Sequence, residues 1–306
     1  MNQTGKKFKK IVIVEPAFVE GEDLTRLQSY CDELVVYEDD FHGEAEATQR
    51  IGDADCIIVS YKSVIPASVI QADPNLKLIV MACSFYGHEF AKVDTRYAEE
   101  HGIPFTYLSS YGDNGVVEFT VAKVVDLLQG FSGQQWRPEP HDLTAVKVGI
   151  LGLGDLGYTI AKTFMALGSD VYYYSRTRKP DKECDQLHYL ELDDLLQTVD
   201  VLSINLNRDV CLIGGDKLER FGNGKIIVNS AIGYCYEKES LEKWLQADPG
   251  NFYIGDQAST NADLQEIAPN YDNLIYVNHA TGQTAECFRR ATELILGHID
   301  HYLSTH

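Results

Sequence analysis

Gly152, Gly154 and Gly157 stand in a G-x-G-x-x-G pattern, a spacing suited to cradling a pyrophosphate. Alone the pattern is weak, because glycine is common and short patterns recur by chance. Its neighbours give it force. The run Lys147 to Leu151 (KVGIL) reads as a strand, and Ile160, Ala161, Phe164 and Leu167 beyond it fall on one helical face. In such a strand-loop-helix the first glycine permits the tight turn and the second lets backbone N–H groups approach the phosphates. The third allows the helix to pack closely on the strand. Asp155 and Leu156 open the helix, whose unpaired amides and positive dipole end face the anion. The competing interpretation is a glycine turn with no cofactor; the flanking elements favour a dinucleotide.

Which dinucleotide is preferred is decided at the end of the next strand, roughly 20 residues on. A carboxylate there would accept hydrogen bonds from ribose hydroxyls and repel a 2′-phosphate. The sequence instead reads Tyr174-Ser175-Arg176-Thr177-Arg178-Lys179-Pro180, with no acid before Asp181. Ser175, Arg176 and Thr177 could bind a 2′-phosphate, the arginine through its fork of donors. The bland alternative is a solvated basic loop. These residues predict NADP, with NAD as the alternative.

The elements that must position this loop alternate between strand and helix almost throughout. Strand signals fall at Lys10 to Glu15, Glu33 to Tyr37, Asp55 to Ser60, Leu76 to Ala82 and Ile103 to Thr106, with helical material from about Gly21 to Asp32. From about Gly115 to Phe131 the period becomes helical, with Val117, Val121, Val124, Val125 and Leu128 on one face. Ser132 to His141 is rich in turn formers and reads as a linker. A second alternating block follows, with six strand candidates: Val146 to Leu151, Asp170 to Tyr174, Val201 to Asn205, Lys225 to Asn229, Phe252 to Gly255 and Leu274 to Val277. A last helix runs from about Thr284 to Leu303. The alternation predicts an α/β fold with parallel sheets covered on both faces.

Bulk properties narrow the function classes. A chain of 306 residues exceeds the usual size of one hydrophobic core, so two domains are expected. The formal net charge of −20 argues against a nucleic-acid partner, which would require a clustered basic face. No stretch has the length and apolarity of a membrane span, and the short apolar run after Lys10 is not a signal-peptide core. The cysteines at 31, 56, 83, 184, 211, 235 and 287 include no CxxC pair and read as buried reduced thiols of a cytoplasmic protein. No metal site is expected, because the histidines never fall in ligand spacing with cysteine or carboxylate.

With these pieces in view, the chain resembles the D-isomer-specific 2-hydroxyacid dehydrogenase family over nearly its whole length. Asp53 to Tyr61 (DADCIIVSY) and Pro74 to Val80 (PNLKLIV) are similar to the family's split substrate domain. Tyr111 to Thr120 (YGDNGVVEFT) is similar to the signature entering the interdomain helix. Asn229 to Gly233 (NSAIG) and Val277 to Thr284 (VNHATGQT) match two active-site segments. The resemblance implies a Rossmann-type cofactor domain, residues 115–284, inserted into a flavodoxin-like substrate domain, residues 1–114 plus 285–306. It also implies a homodimer through the cofactor domains and a small-molecule substrate. Family cofactor contacts fall on Asn205, Ala231, Asp256, His279 and Gly282, and the family's carboxylate-binding loop on Ser84, Phe85, Tyr86 and Gly87.

The implied reaction is reversible hydride transfer between a nicotinamide and a 2-oxo acid. In the family an arginine binds the substrate carboxylate, a histidine is the general acid–base, and a glutamate orients that histidine. His279 matches the histidine. The arginine position holds Ile232, which can neither pair a carboxylate nor polarise a carbonyl, and the glutamate position holds Asn261. An amide can orient an imidazole but cannot stabilise its charged form as a carboxylate does. Arg208 and Lys225 share the domain but read as solvated loop residues, and Cys235 as a buried inert thiol. The expectation is therefore an NADPH-dependent reductase of a small 2-oxo acid or related carbonyl. The alternative is a catalytically impaired nucleotide-binding sensor on the same scaffold.

Overall fold

In the computed structural model, residues 5–208, 210–233, 235–259 and 263–306 are described. They form two compact units, one built from residues up to Tyr111 together with Thr284–His306, the other from Gly112–Gln283.

The first unit opens with β1 (Phe8–Ile13), α1 (Glu22–Gln28), β2 (Cys31–Val36), α2 (Glu44–Ile51) and β3 (Cys56–Val59). It continues through α3 (Ala67–Ala72), β4 (Leu78–Met81), α4 (Thr95–Glu100) and β5 (Phe105–Tyr107). Its sheet has the order β2-β1-β3-β4-β5 with every pair parallel. Strands β3 and β4, CIIV and LIVM, are buried along their whole length. That explains why they read as continuous apolar runs rather than as alternations, since helices cover both faces of a parallel sheet. The crossover order makes this unit doubly wound in the flavodoxin manner, as expected.

The second unit begins with the long helix α5 (Asp113–Gln129), which ends where Gly130 takes a left-handed conformation at φ 71°. Then come β6 (Lys147–Leu151), α6 (Asp155–Ala166), β7 (Asp170–Tyr174), β8 (Leu187–Tyr189), α7 (Leu192–Thr198) and β9 (Val201–Ile204). The unit closes with α8 (Gly215–Phe221), β10 (Ile226–Asn229), α9 (Lys238–Ala247), β11 (Phe252–Asp256), α10 (Asp263–Ile267) and β12 (Leu274–Val277). The parallel sheet runs β12-β11-β10-β9-β6-β7-β8. Strand order reverses between β6 and β9, which is the switch point of a Rossmann-type sheet.

The chain returns to the first unit as α11 (Ala285–Thr305). Its N-cap Thr284 accepts the Cys287 N–H at 3.1 Å, satisfying one of the free amides of the first turn. Cys287, Ala291, Ile295, Leu296, Ile299 and Leu303 line its apolar face and join the core formed by β1, β3 and β4.

Several expectations need correction. The sheet of the second unit has seven strands, not six. The added one, β8, is three residues long at the sheet edge, too short to show a period. Residues 132–141 do not form a free linker. Trp136 is buried in the core, its amide donates to Leu127 O and its indole N–H to Gly224 O. Turn formers there mark an irregular path that a large aromatic pins to the domain. Leu167 is 48% exposed, because α6 ends at Ala166 and its apolar face ends with Phe164. Lys225 is not on a solvated loop. Its amine donates to Val199 O, and burial pulls its pKa down. Four of the seven cysteines are buried, but Cys83 is half-buried and Cys184 and Cys211 are exposed; none is in a disulfide. No helix among the described residues is long and apolar enough to cross a membrane.

Candidate functional site

The phosphate loop leaves the carboxyl end of β6 at the switch point, beside the loop that follows β9. Gly152 has φ 98°, and a Cβ there would lie 2.5 Å from Asn205 O. The conformation and the contact both demand glycine. A Cβ on Gly157 would lie 2.1 Å from Gly152 O, so the third glycine is fixed by the approach of α6 to the loop. Gly154 differs: its φ of −78° suits any residue, and among the described residues nothing lies within 4 Å of the place its Cβ would occupy. None of them requires a glycine there. A pyrophosphate resting on the backbone would, and this is the sense in which the loop fits a dinucleotide. Asp155 and Leu156 then open α6, and the Tyr158 N–H donates back to Gly154 O at 2.9 Å.

The second loop of the site, after β7, is tied to the first. Gly152 N–H donates to Tyr174 O at 2.9 Å, and Leu153 N–H donates to the Ser175 hydroxyl at 3.2 Å. Arg176 and Thr177 are exposed, and Arg176 makes no ion pair among the described residues. Arg178 is engaged elsewhere, donating through Nε and Nη2 to the two carboxylate oxygens of Glu183, each at 2.7 Å. Beside Arg178, the Glu183 carboxyl is held down at about 2. The Tyr173 hydroxyl donates to Glu183 at 2.8 Å and accepts the Lys179 N–H at 2.8 Å.

The carboxyl ends of β9 to β12 carry the other predicted residues. Asn205 donates to Ser203 O and accepts the Ser230 hydroxyl at 2.8 Å, which joins the β9 and β10 loops. After β10, the buried Ala231 N–H donates to Asn229 Oδ1 at 3.0 Å, and Ile232 is 36% exposed. Asp256 at the end of β11 is buried and accepts both Thr281 N–H (2.8 Å) and Thr281 Oγ1–H (2.7 Å). This bracket orders the segment holding His279, whose carbonyl accepts Gln257 N–H at 3.3 Å. The His279 side chain is exposed, with no hydrogen-bond partner among the described residues. A Cβ on Gly282 would come within 3.4 Å of Val116 and Gly112 at the start of α5. Asn261 lies outside the described residues. The sheet thus gathers Gly152, Gly154, Ser175, Asn205, Ala231, Asp256 and His279 at the carboxyl ends of its strands, where open α/β sheets bind ligands.

In the first unit, residues 84–87 follow β4. Phe85 turns inward against Phe105 and Tyr107, with ring centroids 5.4 Å and 5.2 Å away, while Tyr86 is 56% exposed. Gly87 has φ 116°. Among the described residues, the amides of Ser84, Phe85, Tyr86 and Gly87 donate to no protein acceptor. His88 is held by Thr95 Oγ1 at 2.9 Å and Glu99 at 3.5 Å, which leaves it a structural part.

Comparison with known proteins bears on this arrangement. Residues 120–288 match the sequence model of the D-isomer specific 2-hydroxyacid dehydrogenase, NAD binding domain, and that segment is more than half of the chain. The chain belongs to the D-isomer specific 2-hydroxyacid dehydrogenase family. A glyoxylate reductase of Thermofilum pendens is 27% identical over 296 residues, covering 89% of this chain and 85% of that protein. A hydroxypyruvate reductase of Blautia hydrogenotrophica is 24% identical over 285 residues, covering 84% and 85%. The fold is similar to the solved 2-hydroxyacid dehydrogenase of Ketogulonicigenium vulgare Y25, with TM-score 0.79, 18% identity, and 98% and 96% of the two chains covered. The chain is thus a member of an oxidoreductase family, and its second unit holds the family's NAD-binding domain.

Within this family member, the sequence did not reveal the ties that shape the site. The Ser175–Leu153 hydrogen bond, the Arg178–Glu183 pair and the Asp256–Thr281 bracket join residues 22, 5 and 25 positions apart. Only the Arg178–Glu183 spacing left a signal, an acid shortly after a cluster of bases.

Proposed function

We propose that the protein is an NADP-dependent oxidoreductase of the D-2-hydroxyacid dehydrogenase type, reducing a small 2-oxo acid or related carbonyl with His279 as acid–base. Residues 115–284 form the cofactor domain, and residues 1–114 with 285–306 the substrate domain. A homodimer through the cofactor domains and a cytoplasmic location complete the reading.

Bound NADPH would supply the hydride. Gly152, Gly154, Asp155, Leu156 and Gly157 would hold its pyrophosphate, and Ser175, Arg176 and Thr177 its 2′-phosphate. Asn205, Ala231, Asp256 and Gly282 would shape the remainder of its bed. The proton comes from a ring nitrogen of His279 and goes to the carbonyl oxygen as negative charge develops there, a task to which imidazole is suited near neutral pH. Amides 84–87, which donate to no protein acceptor among the described residues, would bind an anionic oxygen of the substrate. The reading rests above all on His279. Its imidazole is exposed and unengaged among the described residues, yet the segment bearing it is ordered by the buried Asp256–Thr281 bracket.

One observation favours a second reading, a nucleotide-binding homologue impaired in catalysis. In the loop after β10 an exposed isoleucine, Ile232, stands where the resemblance puts the family's arginine, and Asn261 stands where it puts the glutamate. NADPH oxidation against a panel of 2-oxo acids, aldehydes and ketones separates the two. Under the first reading at least one carbonyl is reduced, and His279→Ala lowers kcat by about 100-fold or more. NADPH binding without turnover on any substrate would support the second. Ile232→Arg is the companion probe, since a large gain in 2-oxo acid reduction would mean that the natural substrate is less anionic.

A further inference from the structure

We infer that the loop after β7 divides the recognition of NADPH among three residues. Arg176 reads the 2′-phosphate, Ser175 clamps the glycine loop to the reader, and Arg178 is a brace that reads nothing. The assignment to Arg176 rests on the NADP reading above; the clamp does not.

The brace is visible in the bonding. A guanidinium binds an oxyanion best through two parallel N–H donors. Arg178 already directs Nε and Nη2 to Glu183, both at 2.7 Å, and lies 5.3 Å from the centroid of the Tyr189 ring. Glu183 also accepts the Tyr173 hydroxyl, which in turn accepts the Lys179 N–H. The chain from Tyr173 to Glu183 is therefore closed on itself by side chains. Arg176, two residues before the brace, is exposed and makes no ion pair among the described residues. Its donors can meet an anion without first breaking a bond.

The clamp is Ser175. Its oxygen accepts Leu153 N–H while the Leu153 side chain is buried in the core. The hydroxyl hydrogen stays available for donation, because a hydroxyl both accepts and donates. With Gly152 N–H donating to Tyr174 O, two successive amides of the glycine loop are fixed to two successive residues of the β7 loop. The pyrophosphate cradle and the 2′-phosphate reader then move as one body. Loss of the hydroxyl should disturb the cradle whether or not a 2′-phosphate is present.

Equilibrium titration of the full-length protein with NADPH and with NADH tests all three roles. Arg176→Met should weaken NADPH about 30-fold and leave NADH within about twofold, in keeping with loss of a charged hydrogen bond. Arg178→Met should lower Tm while changing the NADPH-to-NADH preference by less than about threefold. Ser175→Ala should weaken NADH by about tenfold and NADPH by at least as much, since the Ser175 O–H can also donate to the 2′-phosphate, with Ser175→Thr restoring both, and should speed hydrogen exchange at the Leu153 amide in the nucleotide-free protein. If Arg178→Met erases the preference as fully as Arg176→Met, the brace is a phosphate ligand and the division is wrong. If Ser175→Ala weakens NADPH alone and leaves Leu153 exchange unchanged, the clamp is wrong. Wild-type protein binding NADH as tightly as NADPH, with Arg176→Met altering neither, would instead overturn the NADP reading. The clamp would still be judged by the response of NADH to Ser175→Ala.

Discussion

Gly154 and Gly157 are both glycines of one loop, yet the reasons for them are separable by experiment. Gly157 serves the fold: a methyl group there would sit 2.1 Å from a backbone oxygen, so helix and loop would have to part. Gly157→Ala should destabilise the protein by more than about 2 kcal/mol, on the scale of overpacking a close contact. On the reading proposed above Gly154 serves the ligand: Gly154→Ala meets no atom of the described residues and should cost at most about 1 kcal/mol at a helix N-cap. It should nevertheless weaken NADPH by tenfold or more. Thermal denaturation beside a nucleotide titration checks both, and equal loss of stability in the two variants would contradict the distinction. Gly152 and Gly157 were legible from sequence, because a backbone constraint leaves glycine as its trace. Ser175, Arg176 and His279 were singled out from sequence as well; Ser175 is bonded to the glycine loop, and Arg176 and His279 are exposed. The Leu153–Ser175 bond was not legible, since a serine hydroxyl at the end of a strand has many acceptable partners and spacing alone does not choose one.

At the scale of elements, legibility followed length and burial. Strands β3, β4 and β9, buried along their whole length, left plain apolar runs. The edge strand β8, with one buried residue in three, left none. The segment 132–141 misled for a related reason: one tryptophan anchors it, and a single residue has no period. The loop between β7 and β8 is likewise held by side chains rather than by a ladder, and this gives it a pH dependence. The Glu183 carboxyl is lowered from 4.5 to about 2, chiefly by its hydrogen bonds to Arg178. A carboxyl whose folded pKa is depressed adds stability that is complete above its unfolded value and fades as pH falls toward the folded one. The difference in Tm between wild type and Glu183→Gln should therefore be constant above about pH 5 and shrink between pH 4.5 and 2. A difference independent of pH over that window would show that the brace does not depend on the charged pair.

For the molecule as a whole, the distribution of apolar side chains predicts how it comes apart. Among the described residues, the two cores of the second unit draw on positions from Val117 to Tyr276, one continuous stretch of sequence. The first unit is discontinuous: one of its cores is made by β1, β3 and β4 on one side and by α11, at the far end of the chain, on the other. Ile295, Leu296, Ile299 and Leu303 are each buried there, at about 1.5–3 kcal/mol apiece for full burial, an upper estimate. Together they rival the whole net stability of an ordinary domain. A fragment of residues 112–283 should consequently fold alone, with cooperative unfolding and retained NADPH binding, because every nucleotide-facing residue proposed above lies within it. Residues 1–111 alone should not fold, lacking the helix that covers one face of the sheet. Joining residue 111 to residue 284 through a short glycine linker should restore a cooperative unit. The Arg290 side chain donates to Tyr111 O at 2.8 Å, which holds the early part of α11 beside residue 111. Circular dichroism melts of the three fragments decide the matter. Cooperative melting of 1–111 without α11 would mean that the first core does not depend on the returning helix.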